Sequence, residues 1–242
     1  MRRAAIMSLC VFASAAQAEK IVAADYTNPT TRYPHGALGD PIEHAGLRVT
    51  LSNGAERAAV WSELVVFEDT APRLVDLDGD GAPEVITVES HELAGARLSI
   101  WGLDENDTLV SKAYTDFFGI PNRWLAVAGA ADMDGDGFVE IAYVDRPHLA
   151  KILTVLRYIP QADGSGRLEP VATLPGVSNH RFGEADIGGG LRECDGVVEV
   201  ITANADWTRI MATRLTDGVL TARDIGPHVD SSSYAKALAC ND

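Results

Sequence analysis

Short apolar stretches of alternating polarity recur along this chain, and each runs into turn-forming residues. The clearest are Leu47-Arg48-Val49-Thr50-Leu51, Leu98-Ser99-Ile100-Trp101, Ile152-Leu153-Thr154-Val155-Leu156 and Ile210-Met211-Ala212-Thr213. Their length and their aliphatic and β-branched content predict strands. Turn chemistry follows each one: Asn53-Gly54, Asp104 to Asp107, Asp163-Gly164-Ser165-Gly166 and Asp217-Gly218. A further strand is expected after each turn, near Ala59, Leu109, Leu168 and Leu220, which makes four hairpins. No segment carries the 3.6-residue apolar period of a long helix.

Two more apolar strands, Val85-Ile86-Thr87-Val88 and Ile141-Ala142-Tyr143-Val144, each follow a run of acids. The first run is Asp76-Leu77-Asp78-Gly79-Asp80-Gly81-Ala82-Pro83-Glu84; the second is Asp132-Met133-Asp134-Gly135-Asp136-Gly137-Phe138-Val139-Glu140. Carboxylates at positions 1, 3, 5 and 9 around a glycine turn predict an oxygen cage for a hard cation. Closely spaced acids repel one another, so such a loop calls for a counter-charge, and Ca²⁺ suits it best. The expected ligands are Asp76, Asp78, Asp80, the Ala82 carbonyl and Glu84, then Asp132, Asp134, Asp136, the Phe138 carbonyl and Glu140. Position 12 is Thr87 or Tyr143 where a helix-loop-helix calcium site has Glu, so the loops belong to a sheet.

The loops repeat at a spacing of 56 residues, from Asp76 to Asp132. A degraded third copy keeps acids at Glu193, Asp195 and Glu199 but has Leu191 at its first position, so weak or no ion binding is expected there. A four-stranded unit of this size cannot bury both sheet faces alone; stacked around an axis it becomes a propeller blade. The expected fold is all-β, a small propeller of four blades with four antiparallel strands each. The fourth blade would be split between the ends, with Tyr33 to Asp40 supplying an early strand and the tail near Tyr234 to Leu238 another. That pairing of the N- and C-terminal segments would close the ring and remove exposed edges.

The pattern Asp-x-Asp-Gly-Asp-Gly-x-x-Glu followed by an apolar strand resembles the FG-GAP/VCBS repeat. The likeness is specific at 76–84 and 132–140, weaker at 186–199, and by hairpin period extends over about residues 30–226. It implies a β-propeller of the integrin α-subunit type, with structural Ca²⁺ in loops between the first two strands of a blade. Here that means two sites. The ninth position is Glu where Asp is more usual in the family, which lengthens the ligand arm. The resemblance implies no single activity.

Composition adds the setting. Arg2-Arg3, an apolar run from Ala4 to Ala15 and Ala16-Gln17-Ala18 predict a signal peptide, residues 1–18, with residues 19–242 forming one domain. Leu9 before Cys10 is too bulky for the usual lipoprotein signal. The formal net charge of −15 becomes −17 without Arg2 and Arg3, so nucleic acid is not an expected partner. After signal removal no integral membrane segment is expected. Cys194 and Cys240 then remain, and an even pair in an exported chain predicts a disulfide tying the tail to the body.

If the acidic loops join the first and second strands of a blade, the next turns lie at the opposite end of the sheet. There acids are followed closely by His or Trp: Asp40/Glu43-His44, Glu89-His91, Asp145-His148 and Asp206-Trp207. The connections Asn122-Arg123-Trp124 and Asn179-His180-Arg181-Phe182 should reach the same face. His44, His91, Arg123, His148, His180, Arg181 and Trp207 are thus a candidate ligand face for an anionic ligand, a glycan or a transition metal. Familiar catalytic signatures are missing: His91-Glu92 lacks a second zinc-protease His, and Ser165 is in a hairpin turn. The expectation is a periplasmic or secreted, calcium-stabilised binding or scaffold module for a protein or glycan. The competing class is a hydrolase or lyase on glycans or phosphoesters using a His/Arg-lined axial site; a purely structural surface protein is the third.

Overall fold

The computed structural model describes residues 19–241. The expected signal peptide, including Cys10, lies outside them. The described chain is built of antiparallel strands with one short helix at its end. β1 (Ile21–Thr30), β2 (Glu43–Leu51) and β3 (Glu56–Val60) form a three-stranded unit in the order β1-β2-β3. β4 (Val65–Phe67) and β5 (Arg73–Val75) both pair with β6 (Glu84–His91), which continues through β7 (Gly95–Leu103) to β8 (Leu109–Tyr114). A single bridge, His44 opposite Phe67, joins these two units into one curled sheet.

The second sheet is a plain meander of β9 (Leu125–Ala131), β10 (Glu140–Asp145), β11 (Ile152–Pro160) and β12 (Gly166–Pro175). In the third, β13 (Val177–Ser178) and β14 (Gly190–Cys194) both pair with β15 (Val197–Asn204), followed by β16 (Arg209–Thr216) and β17 (Val219–Pro227). All four predicted hairpins are present, at the turns named from the sequence.

The second strands explain how the sheets stack. β6 is buried along nearly its whole length, and alternate residues serve different cores. Val85 packs with Leu47, Val49 and Trp101, whereas Ile86 and Val88 pack with Ile141 and Tyr143 of the second sheet. β10 repeats the arrangement: Ile141 and Tyr143 face the first sheet, while Ala142 and Val144 pack with Val200 of the third. A period of two thus places each middle strand between two successive cores. This face-to-face succession is propeller-like.

Two expectations are corrected at the ends. Tyr33 to Asp40 is a run of turns and bends, because Gly36 and Gly39 take positive φ (68° and 94°) and Pro34 donates no hydrogen bond. The tail is α1 (Ser231–Leu238), not a strand. Asp230 caps it through the Ser232 amide, Ser233 returns a bond to Asp230, and Tyr234 and Ala237 are buried against β15 and β16. The terminal segments therefore do not pair: β1 pairs with β2, and α1 rests on the third sheet. The N-terminal segment instead reaches the third sheet's entry loop, where the Gly183 amide donates to the Ala37 carbonyl at 2.9 Å.

Cys194 and Cys240 form a disulfide with Cα atoms 6.0 Å apart, pinning the last residue of β14 to the segment just after α1. At a sequence separation of 46, the cross-link stabilises by about 4 kcal/mol in the chain-entropy picture. No helix of the described residues is long and apolar enough to cross a membrane.

Candidate functional site

The acidic loops and the histidines occupy opposite ends of the same strands. β9 starts beside Trp124 and ends at Asp132; β10 returns from Glu140 to Asp145, three residues before His148. Six or seven residues of strand separate the two ends by roughly 20 Å.

In the first loop Asp76 accepts the Gly79 and Gly81 amides at 2.8 and 2.9 Å, and Asp80 accepts the Ala82 amide at 2.6 Å. Gly79 and Gly81 take φ of 78° and 82°, which lets the backbone wrap the carboxylates. Asp76, Asp78 and Glu84 each bring a carboxylate oxygen within 4.8 Å of the others. Glu84 is buried, bonded to the Leu77 amide at 2.9 Å, and pushed up to about 7 by burial together with the three aspartates. An all-oxygen, all-acid donor set with an uncompensated buried member fits a hard divalent cation.

The second loop has the same backbone, with Asp132 accepting the Gly135 and Gly137 amides and Asp136 the Phe138 amide. Its converging oxygens come from Asp132, Asp134 and Asp136. Asp134 Oδ1 is buried with no partner, an atom a cation would satisfy. Arg157 of β11 reaches Asp134, Asp136 and Glu140 at 2.9, 2.7 and 2.6 Å. Burial still raises Glu140 in spite of the Met133 amide and Arg157.

The degraded third copy is no loop at all. Asp195-Gly196, with φ of 52° and 75°, is a two-residue hairpin turn between β14 and β15. Glu193 is exposed in strand β14, and Glu199 is buried in β15 between Arg192 and Arg223, at 2.7 and 2.9 Å. Burial alone would raise Glu199; the two arginines hold it below the ordinary range.

At the opposite end, four separate segments meet. His35, Trp124, His148 and Phe182, with Asn122, Arg123, Arg146 and Leu149, line a cavity of about 150 Å³. His35 Nδ1 lies 2.6 Å from Glu68, a fully buried carboxylate that also bonds Ser90. Trp124 donates its indole N–H to the Glu68 carbonyl at 2.7 Å. The Glu184 carbonyl can only accept, so His180 Nε2 carries the hydrogen in that 2.8 Å bond. His180 Nδ1 then accepts from His148 Nε2 at 2.8 Å, which leaves His148 Nδ1 a bare lone pair in the neutral ring. Burial, with His180, His35 and Lys151 nearby, pushes His148 down to about 4. Arg146 is paired with Asp145 at 2.7 Å, and Arg123 folds one amino group onto the Asn122 carbonyl at 3.0 Å.

Of the sequence-named face, His148, His180 and Arg123 are brought together. His44 is stacked on Tyr26 within the first sheet, at 5.9 Å between rings. His91 ends β6 at its turn to β7, near Phe117, its Nδ1 accepting the Leu93 amide. Arg181 turns away to lie 4.4 Å over the Trp207 ring, which meets His228 edge-on, as His228 in turn meets Tyr234 of α1. None of these four lines the cavity: His44, His91 and Trp207 pack on aromatic neighbours elsewhere, and Arg181, although it sits between His180 and Phe182 in the chain, points to Trp207 instead. His35 and Glu68 carry no signal in the sequence: His35 sits in a stretch whose pattern predicts a strand, and Glu68 belongs to no motif.

Residues 70–143, which hold both acidic loops, match the family model of the FG-GAP-like repeat. No curated protein matches the chain.

Proposed function

We propose that this chain, whose residues 70–143 carry the FG-GAP-like repeat, is an exported, calcium-stabilised propeller-like module that binds a protein or glycan at its histidine-bearing end. Ca²⁺ would be held by Asp76, Asp78 and Glu84, with Asp80 and the Ala82 carbonyl completing the shell. In the second loop Asp132, Asp134 and Asp136 would hold it, with the Phe138 carbonyl; there Glu140 is turned to Arg157. The ion's role is structural: it neutralises packed carboxylates and ties each loop to the start of a buried strand. Export accords with the disulfide, which persists in an oxidising compartment.

The observation that carries the binding reading is the cavity at the strand ends. The exposed Phe182 ring beside the buried Trp124, a fixed lone pair on His148 and the Arg123 guanidinium offer an aromatic face, an acceptor and a positive charge within one concave site. Phe182 and Leu149 are about 60% exposed, so the rim is apolar as well. Such a site suits a compact hydroxylated or negatively charged group on an apolar body. The test is NMR titration of the wild type and H148A with short oligosaccharides and with a peptide ending in a free carboxylate. Shifts at the Trp124 indole that vanish in H148A are expected; no shift with either class overturns the reading.

A hydrolase or lyase draws on one observation: His35 is backed by the buried Glu68 as a general base would be. Product formation from the same oligosaccharides, or from a chromogenic phosphodiester, would favour it over plain binding.

A further inference from the structure

We propose that Arg157 acts as a built-in counter-cation in the second acidic loop, so that the first loop is the high-affinity calcium site and the second a weak one. The inference rests on the calcium reading above and concerns what this chain's own residues do to it.

The two loops share spacing, backbone turns and four acids, but their free oxygens differ. In the first, Asp78 Oδ1 takes the Asp80 amide, Asp80 Oδ1 the Ala82 amide and Glu84 Oε2 the Leu77 amide. The second oxygen of each of these three carboxylates has no hydrogen-bond partner among the described residues. In the second loop both oxygens of Asp136 are engaged, one by the Phe138 amide and one by Arg157. Glu140 is likewise filled, by the Met133 amide and by Arg157. Asp134 gives one oxygen to Arg157 and keeps only Oδ1 unpartnered. Glu84 accordingly converges with Asp76 and Asp78, whereas Glu140 is absent from the converging oxygens of its own loop.

Register explains the difference. Glu140 lies directly opposite Arg157 across the β10–β11 pair. One step beyond the Val85–Trp101 pair, the residue facing Glu84 is Gly102, where an added Cβ would lie 3.6 Å from Glu84 Cγ. Glycine supplies no charge. Two lysines lie near this loop but neither bonds a carboxylate: Lys112 packs its stem over Gly102 and carries its ammonium to the Gly164 carbonyl at 2.8 Å, and Lys20 carries its own to the Gly81 carbonyl at 2.7 Å. The second loop therefore presents four acids less one guanidinium, and a divalent ion entering it meets both a smaller negative charge and a competing cation.

Calcium titration by calorimetry on the purified mature chain separates the cases. The wild type is expected to show one tight site, and R157Q two, with the second site strengthened by about tenfold or more. D132N in the R157Q background should remove the gained site, and D76N in the wild type the tight one. The reciprocal variant G102R should weaken the tight site, which keeps the test intact if R157Q fails to fold. Two equal sites in the wild type, or an R157Q titration identical to wild type while D76N still loses an ion, would overturn the proposal. No ion bound by any variant would instead overturn the calcium reading itself.

Discussion

Glu84 in the first sheet and Glu199 in the third hold the same position of the repeat, and both are buried at the start of a core strand. Their surroundings are opposite. Glu84 faces three aspartates and Gly102, with no cationic side chain bonded to it; Glu199 lies between Arg192 and Arg223. The same desolvated charge is thus answered from outside the chain in one sheet and from inside it in another. Only the first solution makes stability depend on an ion in solution. A third buried glutamate, Glu43, has neither answer: Glu68, Asp40 and Asp69 surround it, Oε1 is unpartnered, and burial pushes it up to about 9. It keeps its proton instead.

The largest effect is expected at the internally paired site. Arg192→Met leaves the buried Glu199 with only the more exposed Arg223 and also removes the bond from Arg192 to the Ala237 carbonyl, 2.7 Å long, that holds α1. A loss of about 3–5 kcal/mol in urea unfolding is expected. The loss should be the same with calcium or with chelator; a loss rescued by calcium would break the comparison.

The ion-dependent side should respond next. At calcium about a hundredfold above its dissociation constant, the wild type gains about 2.7 kcal/mol over the chelated protein. The melting temperature should fall on chelation, and D76N should show a smaller fall. A chelator-insensitive wild type would remove the distinction between Glu84 and Glu199.

The smallest effect belongs to Glu43. Its folded pKa of about 9 lies above the ordinary 4.5 of the unfolded chain, so the folded state holds a proton that the unfolded state releases. Its favourable contribution is complete below about pH 4.5 and is lost as pH rises towards 9. E43Q should flatten that slope and gain about 1–2 kcal/mol at pH 8. A pH profile of unfolding unchanged by the substitution would show that Glu43 is ionised and partnered in the fold.

The acidic loops and the four hairpins are local features, and the chain spells them out; the disulfide spans 46 positions and is legible only because an even pair of cysteines remains after the expected signal peptide. A glycine-broken run of aspartates or an Asp-Gly turn depends on neighbours a few residues away, as Asp217-Gly218 and Asp163-Gly164 do, so short-range chemistry suffices to predict it. The sequence by itself thereby determined the all-β class, the place of both loops and the pairing of Cys194 with Cys240. Tertiary structure alone decided which charges meet. Arg157, Arg192 and Arg223 carry no motif, and only strand register sets one opposite Glu140 and two around Glu199. His35 and Glu68 lie 113 and 80 residues before His148, and only tertiary packing brings His35 to the cavity with Glu68 buried behind it. The ends show the same limit: Tyr234 to Leu238 is apolar enough for either a strand or a helix, and the Asp230 cap with the buried face of Tyr234 and Ala237 selected the helix. Burial fixes the cost of each charge, and burial is a property of the assembled sheets.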